Sequence, residues 1–263
     1  MTVSGSTPRA KGGTTKEHGR CRLCGIEGPF AESHIIPRAL VRDISTNDDP
    51  MRQLAAEPGQ HPKRLRTGPY AYFVCERCER SFSPWDTYGV EFLRRTHPSE
   101  SFRRFADGLA VEDRDIDYSM LKMFALVLLW RAAVCGLEDS MAVNLGRFEE
   151  VLRDQISDGD PGEEDDFAVT IDYFPGEPGL AWIPWTQVRT LKQRVRFYQL
   201  PLHRHLIRVK VDSRVEDEIP EELLLRPGSP LLMPVRDFTD GPVARQFRAY
   251  FAARDGNSRS GHR

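Results

Sequence analysis

The chain lacks any apolar run long enough to cross a membrane, which takes about 18 residues. The longest candidate, Met120 to Leu137, is broken by Lys122 and Arg131, so no bilayer span and no membrane partner are expected. The first residues, MTVSGSTPRAKGGTTKEHGR, lack the apolar centre of an export signal. They read as a disordered tail on a cytoplasmic protein. No Gly-rich phosphate loop is found, since Gly176 and Gly179 are interrupted by Pro175 and Pro178; kinase and dehydrogenase chemistry have no support. A Gly-x-Ser-x-Gly elbow, internal repeats and low-complexity blocks are also missing. Nor is there a strong excess of one charge: 37 basic residues stand against 39 acidic ones, unlike the basic stripe of a dedicated nucleic-acid binder.

That near-neutrality hides an asymmetry. Residues 1–105 hold 17 Lys/Arg and 12 Asp/Glu, and the remainder 20 and 27. A mildly basic front can meet phosphate, while the back is acidic. With 40% apolar and 29% charged residues, the composition is that of a globular protein.

Cysteine is scarce as well, with five in 263 residues, and an odd number leaves one over in a disulfide framework. Four of them form two pairs, Cys21-x-x-Cys24 and Cys75-x-x-Cys78. Two such knuckles supply the four soft thiolates of a tetrahedral Zn²⁺, whereas a redox pair needs one motif in a βαβ setting that is absent here. Gly25 gives the first knuckle room to turn, and the second opens a helix. Structural zinc is therefore expected, supplying much of the folding free energy of a small, loop-rich unit. Cys135, at the end of an apolar stretch, reads as a small buried hydrophobe.

The expected organisation is a tail over 1–20, a zinc-binding unit over 21–95, a helical and β region of unread role over 96–254, and a second tail over 255–263. Within the zinc unit, 70–74 reads as a strand and Phe82, Trp85, Tyr88, Gly89, Phe92 and Leu93 as one face of a helix starting near Cys78 or Ser83, with Pro84 in its first turn. Residues 97–117 read as a polar connector with a helical piece at Ser101 to Phe105. Tyr118 to Val134 is apolar nearly all round, as in a buried helix, with Gly136 as its cap. A helix over Met141 to Ile156 turns Val143, Leu145, Phe148, Val151 and Leu152 to one side, and the acidic stretch Asp158 to Asp166 reads as a solvated loop. The runs 168–174, 180–183, 194–200 and 205–211 predict an antiparallel sheet, and 243–254 a last helix. The class is α+β.

Between the knuckles lies Glu32-Ser33-His34-Ile35-Ile36-Pro37. The order Cys-x-x-Cys, His-Ile-Ile-Pro, Cys-x-x-Cys and then a helix, over residues 21 to about 90, resembles the HNH endonucleases, the zinc-stapled ββα-metal nucleases. The resemblance implies a treble-clef-like ββα unit, with a hairpin crossed by a helix. It implies His34 as the general base that activates water, and Glu79 as a ligand of a catalytic Mg²⁺ or Mn²⁺, whose preference is for oxygen. Where the family commonly has Asp, Glu or His before the base, this chain has Ser33. Ser33, or Asp86 two helical turns beyond Glu79, is the candidate to join Glu79 near the catalytic metal; Asn47 is a loose match to the family's middle Asn, and strand alternation points Glu32 away from Ser33. A narrower similarity, to uncharacterised bacterial HNH-like proteins, rests on Ser-His-Ile-Ile-Pro, Cys-x-x-Cys-Glu and a Lys122-x-Phe124…Leu129-Trp130-Arg131 helix, and it implies no reaction.

Two functions follow: an HNH-type, metal-dependent endonuclease acting on phosphodiesters, with DNA the expected target, or a catalytically inactive zinc module that binds nucleic acid or a protein partner. A third possibility is that the zinc unit only staples the larger region. Arg38, Arg42, Lys63, Arg64 and Arg66 are candidate phosphate contacts, with a solvated loop as the alternative. His61 reads as solvated, His203 and His205 as ordinary polar-face residues, Trp182 and Trp185 as sheet packing, and Arg131 as a cation needing a partner.

Overall fold

The computed structural model describes residues 17–43, 68–136, 143–175 and 185–236, together with the backbone pairing of Arg52–Gln53 and Lys63–Arg64. Asn47, His61, Arg66, Trp182, the run 180–183 and the helix expected over 243–254 lie outside these residues, as do the side chains of Lys63 and Arg64.

Around the first knuckle, His18–Arg20 (β1) and Glu27–Pro29 (β2) pair antiparallel. A strand therefore occupies the end of the stretch expected as a tail. Its cause is local: the Cys21 amide donates to the Ile26 carbonyl at 3.0 Å, folding the chain back on itself. Ser33–His34 (β3) leads into Arg38–Asp43 (α1), and Arg52–Gln53 (β4) pairs with Lys63–Arg64 (β5). Tyr70–Ala71 (β6) then returns antiparallel to β3, with Ser33 opposite Ala71 and His34 opposite Tyr70. The pairing is extended by Ala31 N to Val74 O at 2.8 Å and Ile35 N to Pro69 O at 3.0 Å. Two helices follow, Glu76–Ser81 (α2) and Ser83–Arg94 (α3), the latter with Pro84 in its first turn as expected.

The stretch read as a connector is instead a β-hairpin, Phe102–Phe105 (β7) and Gly108–Asp113 (β8). Ala106 takes a left-handed φ of 49° in its two-residue turn, and Leu231–Pro234 (β13) adds to β8. Pairing with a segment more than a hundred residues away makes this strand, which local composition does not report.

Tyr118–Val134 (α4) runs between the expected limits. Asp117 caps it, accepting from the Met120 amide at 3.0 Å, and Gly136 leaves it with φ 70°. Thirteen of its 17 residues are buried, so it must meet protein on every side. On one side α3 approaches so closely that a β-carbon at Gly89 would lie 2.2 Å from the Phe124 ring. On others lie Phe148–Asp158 (α5) and the sheet. Helix α5 starts seven residues later than expected, and Val151 is 49% exposed instead of turned inward.

The sheet holds Val169–Tyr173 (β9), Thr186–Arg189 (β10), Arg196–Leu202 (β11) and His205–Lys210 (β12), antiparallel in the order β10-β11-β12-β9. Mixed helix and antiparallel sheet is the expected α+β class. Buried residues from Cys21 to Met233 form one apolar cluster, so the core crosses the expected boundary at 95/96. No described helix is long and apolar enough to cross a membrane.

Candidate metal centre and the adjoining acid site

The two knuckles converge. The sulfurs of Cys21, Cys24, Cys75 and Cys78 all lie within 4.8 Å of one another, with Cys24 Sγ 3.8 Å from Cys75 Sγ. Four thiolates at about 2.3 Å from one tetrahedral Zn²⁺ stand about 3.8 Å apart, so the donor set fits that ion. Each knuckle is built by its own backbone. In the first, Gly25 adopts φ 72° and donates to the Cys21 carbonyl at 2.9 Å. In the second, Cys75 is the N-cap of α2, so Cys78 comes round in the first turn on the same side. The Cys75 amide donates to Cys21 Sγ at 3.3 Å, tying the knuckles together.

Charge at the sulfurs is unevenly held. Burial pushes the thiols of Cys21 and Cys78 upward. Cys24 is drawn down to about 7 despite burial, by the Ile26 amide and the neighbouring thiols. Arg77 lies against Cys24 and is held above its usual range by that contact. A divalent metal held by the four sulfurs would release the protons of the raised thiols.

Glu79, next along α2, is half-buried, with one carboxylate oxygen wholly out of solvent. Burial raises its pKa, the Arg131 guanidinium and the Ser33 hydroxyl lower it, and Asp86 raises it. Ser33 is fully buried on β3. Neither Ser33 Oγ nor Glu79 Oε2 has a partner within ordinary hydrogen-bonding distance. These two expected site residues are thus brought together. His34 follows the alternation of the strand to a different neighbourhood: its Nε2 is 3.8 Å from Glu32 Oε1, and its ring lies 5.9 Å from that of Tyr70, which is 41% exposed. Glu32 is thus on the His34 side of the strand, away from Ser33, as alternation predicts.

Asp86 is not held in reserve for a metal. It accepts from both Nη atoms of Arg131, at 3.0 and 2.8 Å. Arg131 is 1% exposed and stacks 4.5 Å over the Phe82 ring. The partner that the sequence demanded for this arginine is therefore in the cysteine-bearing unit, on α3. A bidentate, stacked guanidinium is the geometry in which a buried cation is tolerated. On α1, Arg38 and Arg42 are exposed, three and seven residues beyond Ile35.

Sequence reasoning missed one group altogether. His203 and His205 are 8% and 0% exposed, not polar-face residues. On β12, His205 shares a face with Ile207 and Val209, and that face packs on Phe92, 5.4 Å away ring to ring. Tyr173 lies at 5.4 Å and His97 at 6.4 Å. Burial drives the His205 pKa down to about 3. The signal available in advance was the unbroken apolar alternation Ile207, Val209, Val211 that follows it. Among the described residues, the four cysteines are the only group of three or more His, Cys, Asp or Glu side chains close enough to share one metal ion.

No family model matches the chain, and no match is found among curated proteins or solved structures.

Proposed function

We propose that the chain is an HNH-type, metal-dependent endonuclease that hydrolyses phosphodiester bonds in DNA. The observation that carries this reading is the convergence, in the order strand, strand, helix, of a four-sulfur cluster with Ser33 and Glu79; His34, paired with Glu32, follows Ser33 on β3 and turns to the strand's other face. In this reading His34 Nε2, with Glu32 beside it to stabilise the protonated ring, takes the proton from an attacking water. Ser33 Oγ and Glu79 Oε2, two buried oxygens that face each other, would hold Mg²⁺ or Mn²⁺. When bound, such an ion supplies charge stabilisation at the scissile phosphate and leaving oxygen. Arg38 and Arg42 orient the backbone phosphates, and the cysteine zinc holds strand and helix in register. Purified protein is expected to nick or linearise plasmid with Mg²⁺ or Mn²⁺, and His34→Ala to abolish cleavage with zinc content unchanged. Equal behaviour of wild type and His34→Ala across both metals and single- and double-stranded substrates would overturn the reading.

Two observations favour a second reading, a catalytically inactive zinc module that binds nucleic acid or a protein partner. Arg131 already brings a fixed cation to Glu79, and the residue before His34 is a hydroxyl, not a carboxylate. This reading predicts salt-sensitive binding of a DNA duplex without turnover, weakened by Arg38→Ala and Arg42→Ala.

A further inference from the structure

The outer face of the sheet lines a cleft. Register sets Thr170 opposite Arg208, Arg208 opposite Gln199, and Val188 opposite Phe197. By the two-residue period of a strand, Asp172 and Phe197 share that face. A face rich in Thr, Asp, Gln and Arg is ordinarily left to water. Here Thr170, Asp172 and Gln199 are at most 5% exposed. A cleft of about 350 Å³ remains between this face and a cover made by Ile219, Pro220 and Leu223, with Arg236 at its edge.

The chemistry of the lining is asymmetric. Both carboxylates in it are engaged. Asp172 Oδ2 accepts from Arg208 Nη2 at 2.7 Å and lies 3.7 Å from Arg236 Nε. Glu218 accepts the amides of Lys192 and Gln193, at 2.9 and 2.5 Å. The donors are in surplus: Arg208 commits one Nη to Asp172 out of a fork of five N–H groups, and Arg236 adds a second guanidinium. Thr170 Oγ1 is buried with no hydrogen-bond partner. Val188, Phe197 and Leu223 supply apolar wall.

We propose that this cleft binds a small organic anion, an aromatic or branched carboxylate. Its acid group lies against Arg208 and Thr170, and its apolar body against Phe197, Val188 and Leu223. The volume is near the lower end of the roughly 300–1,000 Å³ usual for small-molecule sites, which restricts the occupant to a single ring or short branched chain. A guanidinium meets a carboxylate through two parallel hydrogen bonds, so Arg208 discriminates the acid from its uncharged amide.

The test is an amide-resolved NMR titration of the full chain with benzoate, salicylate and isovalerate, against neutral benzamide. At least one acid is expected to shift the Thr170 and Phe197 amides saturably in the millimolar range, with benzamide about tenfold weaker or worse. Arg208→Lys, which keeps the charge and loses the fork, weakens binding by about tenfold, equivalent to about 1.4 kcal/mol. Leu223→Trp, from a half-buried position in the cover, fills the cleft and abolishes binding. Val188→Trp on the edge strand does the same should the first variant fail to fold. No saturable shift with any of the three acids, equal affinity for benzamide, or binding that survives the filled cleft would each overturn the proposal.

Discussion

The cysteine-bearing front and the helix-and-sheet body solve the same problem by different means. Strands β1, β2, β3 and β6 are two or three residues long, too short to bury enough surface to stand alone. Their positions are set by four sulfurs. The body has longer strands and a helix with 13 buried residues, and burying each Leu or Phe side chain is worth roughly 1.5–3 kcal/mol. A metal held by the four sulfurs would concentrate stabilisation at one point, whereas apolar packing spreads it over dozens of contacts. Damage to the first is therefore all or none, and damage to the second graded. The two are joined at α4, where Trp130 meets Phe73 and Phe82 at ring distances of 6.0 and 6.2 Å and Arg131 reaches Asp86.

The contrast breaks most sharply on metal removal. One zinc per chain is expected by elemental analysis, and a strong chelator withdraws a contribution on the order of 10 kcal/mol. Hydrogen exchange followed by mass spectrometry then shows protection lost over 17–43 and 68–81 and kept in β9, β11 and β12. Uniform loss would mean that the sulfurs hold up the body too. Next in size is Trp130→Ala, expected to cost about 3–5 kcal/mol. Because its ring touches both regions, denaturant unfolding lowers the stability of the whole chain in one transition. An effect confined to one region would separate the cores.

A third effect, smallest near neutral pH, sharpens the picture from the body's side. His205 ionises near 3 in the folded chain against an ordinary 6.5; burial is the main cause, helped by His97, His203 and Arg204. Between those values the unfolded chain holds a proton that the native one does not, so stability is full above about 6.5 and falls as the pH drops towards 3. Its contribution is roughly 1.4 kcal/mol per pH unit. The comparison of wild type with His205→Phe isolates it from the carboxylates, and identical pH slopes for the two would refute the assignment.

How much was readable in advance follows the same divide. Helix α4 was legible to the residue because an all-round apolar run between Asp117 and Gly136 admits no other reading. The cysteine cluster was legible because thiolates at that spacing have few alternative uses. The β7–β8 hairpin was not, since its third strand comes from Leu231–Pro234. The burial of His205 was signalled only by the apolar alternation of Ile207, Val209 and Val211 after it, and what covers that face of β12 is α3, far away in sequence. Asp86 was weighed as a helper for a metal, and its tie to Arg131 emerges only when α3 and α4 are side by side.

The close seat of Phe124 against Gly89 has a practical corollary. A fragment cut at the change of composition near residue 95 would strip α3 of its cover and leave Val90, Phe92 and Leu93 facing water on a piece of protein too small to hide them. Such a piece would clump, whatever metal it carried, so anyone wishing to study the cysteines in isolation must take the long helix along with them.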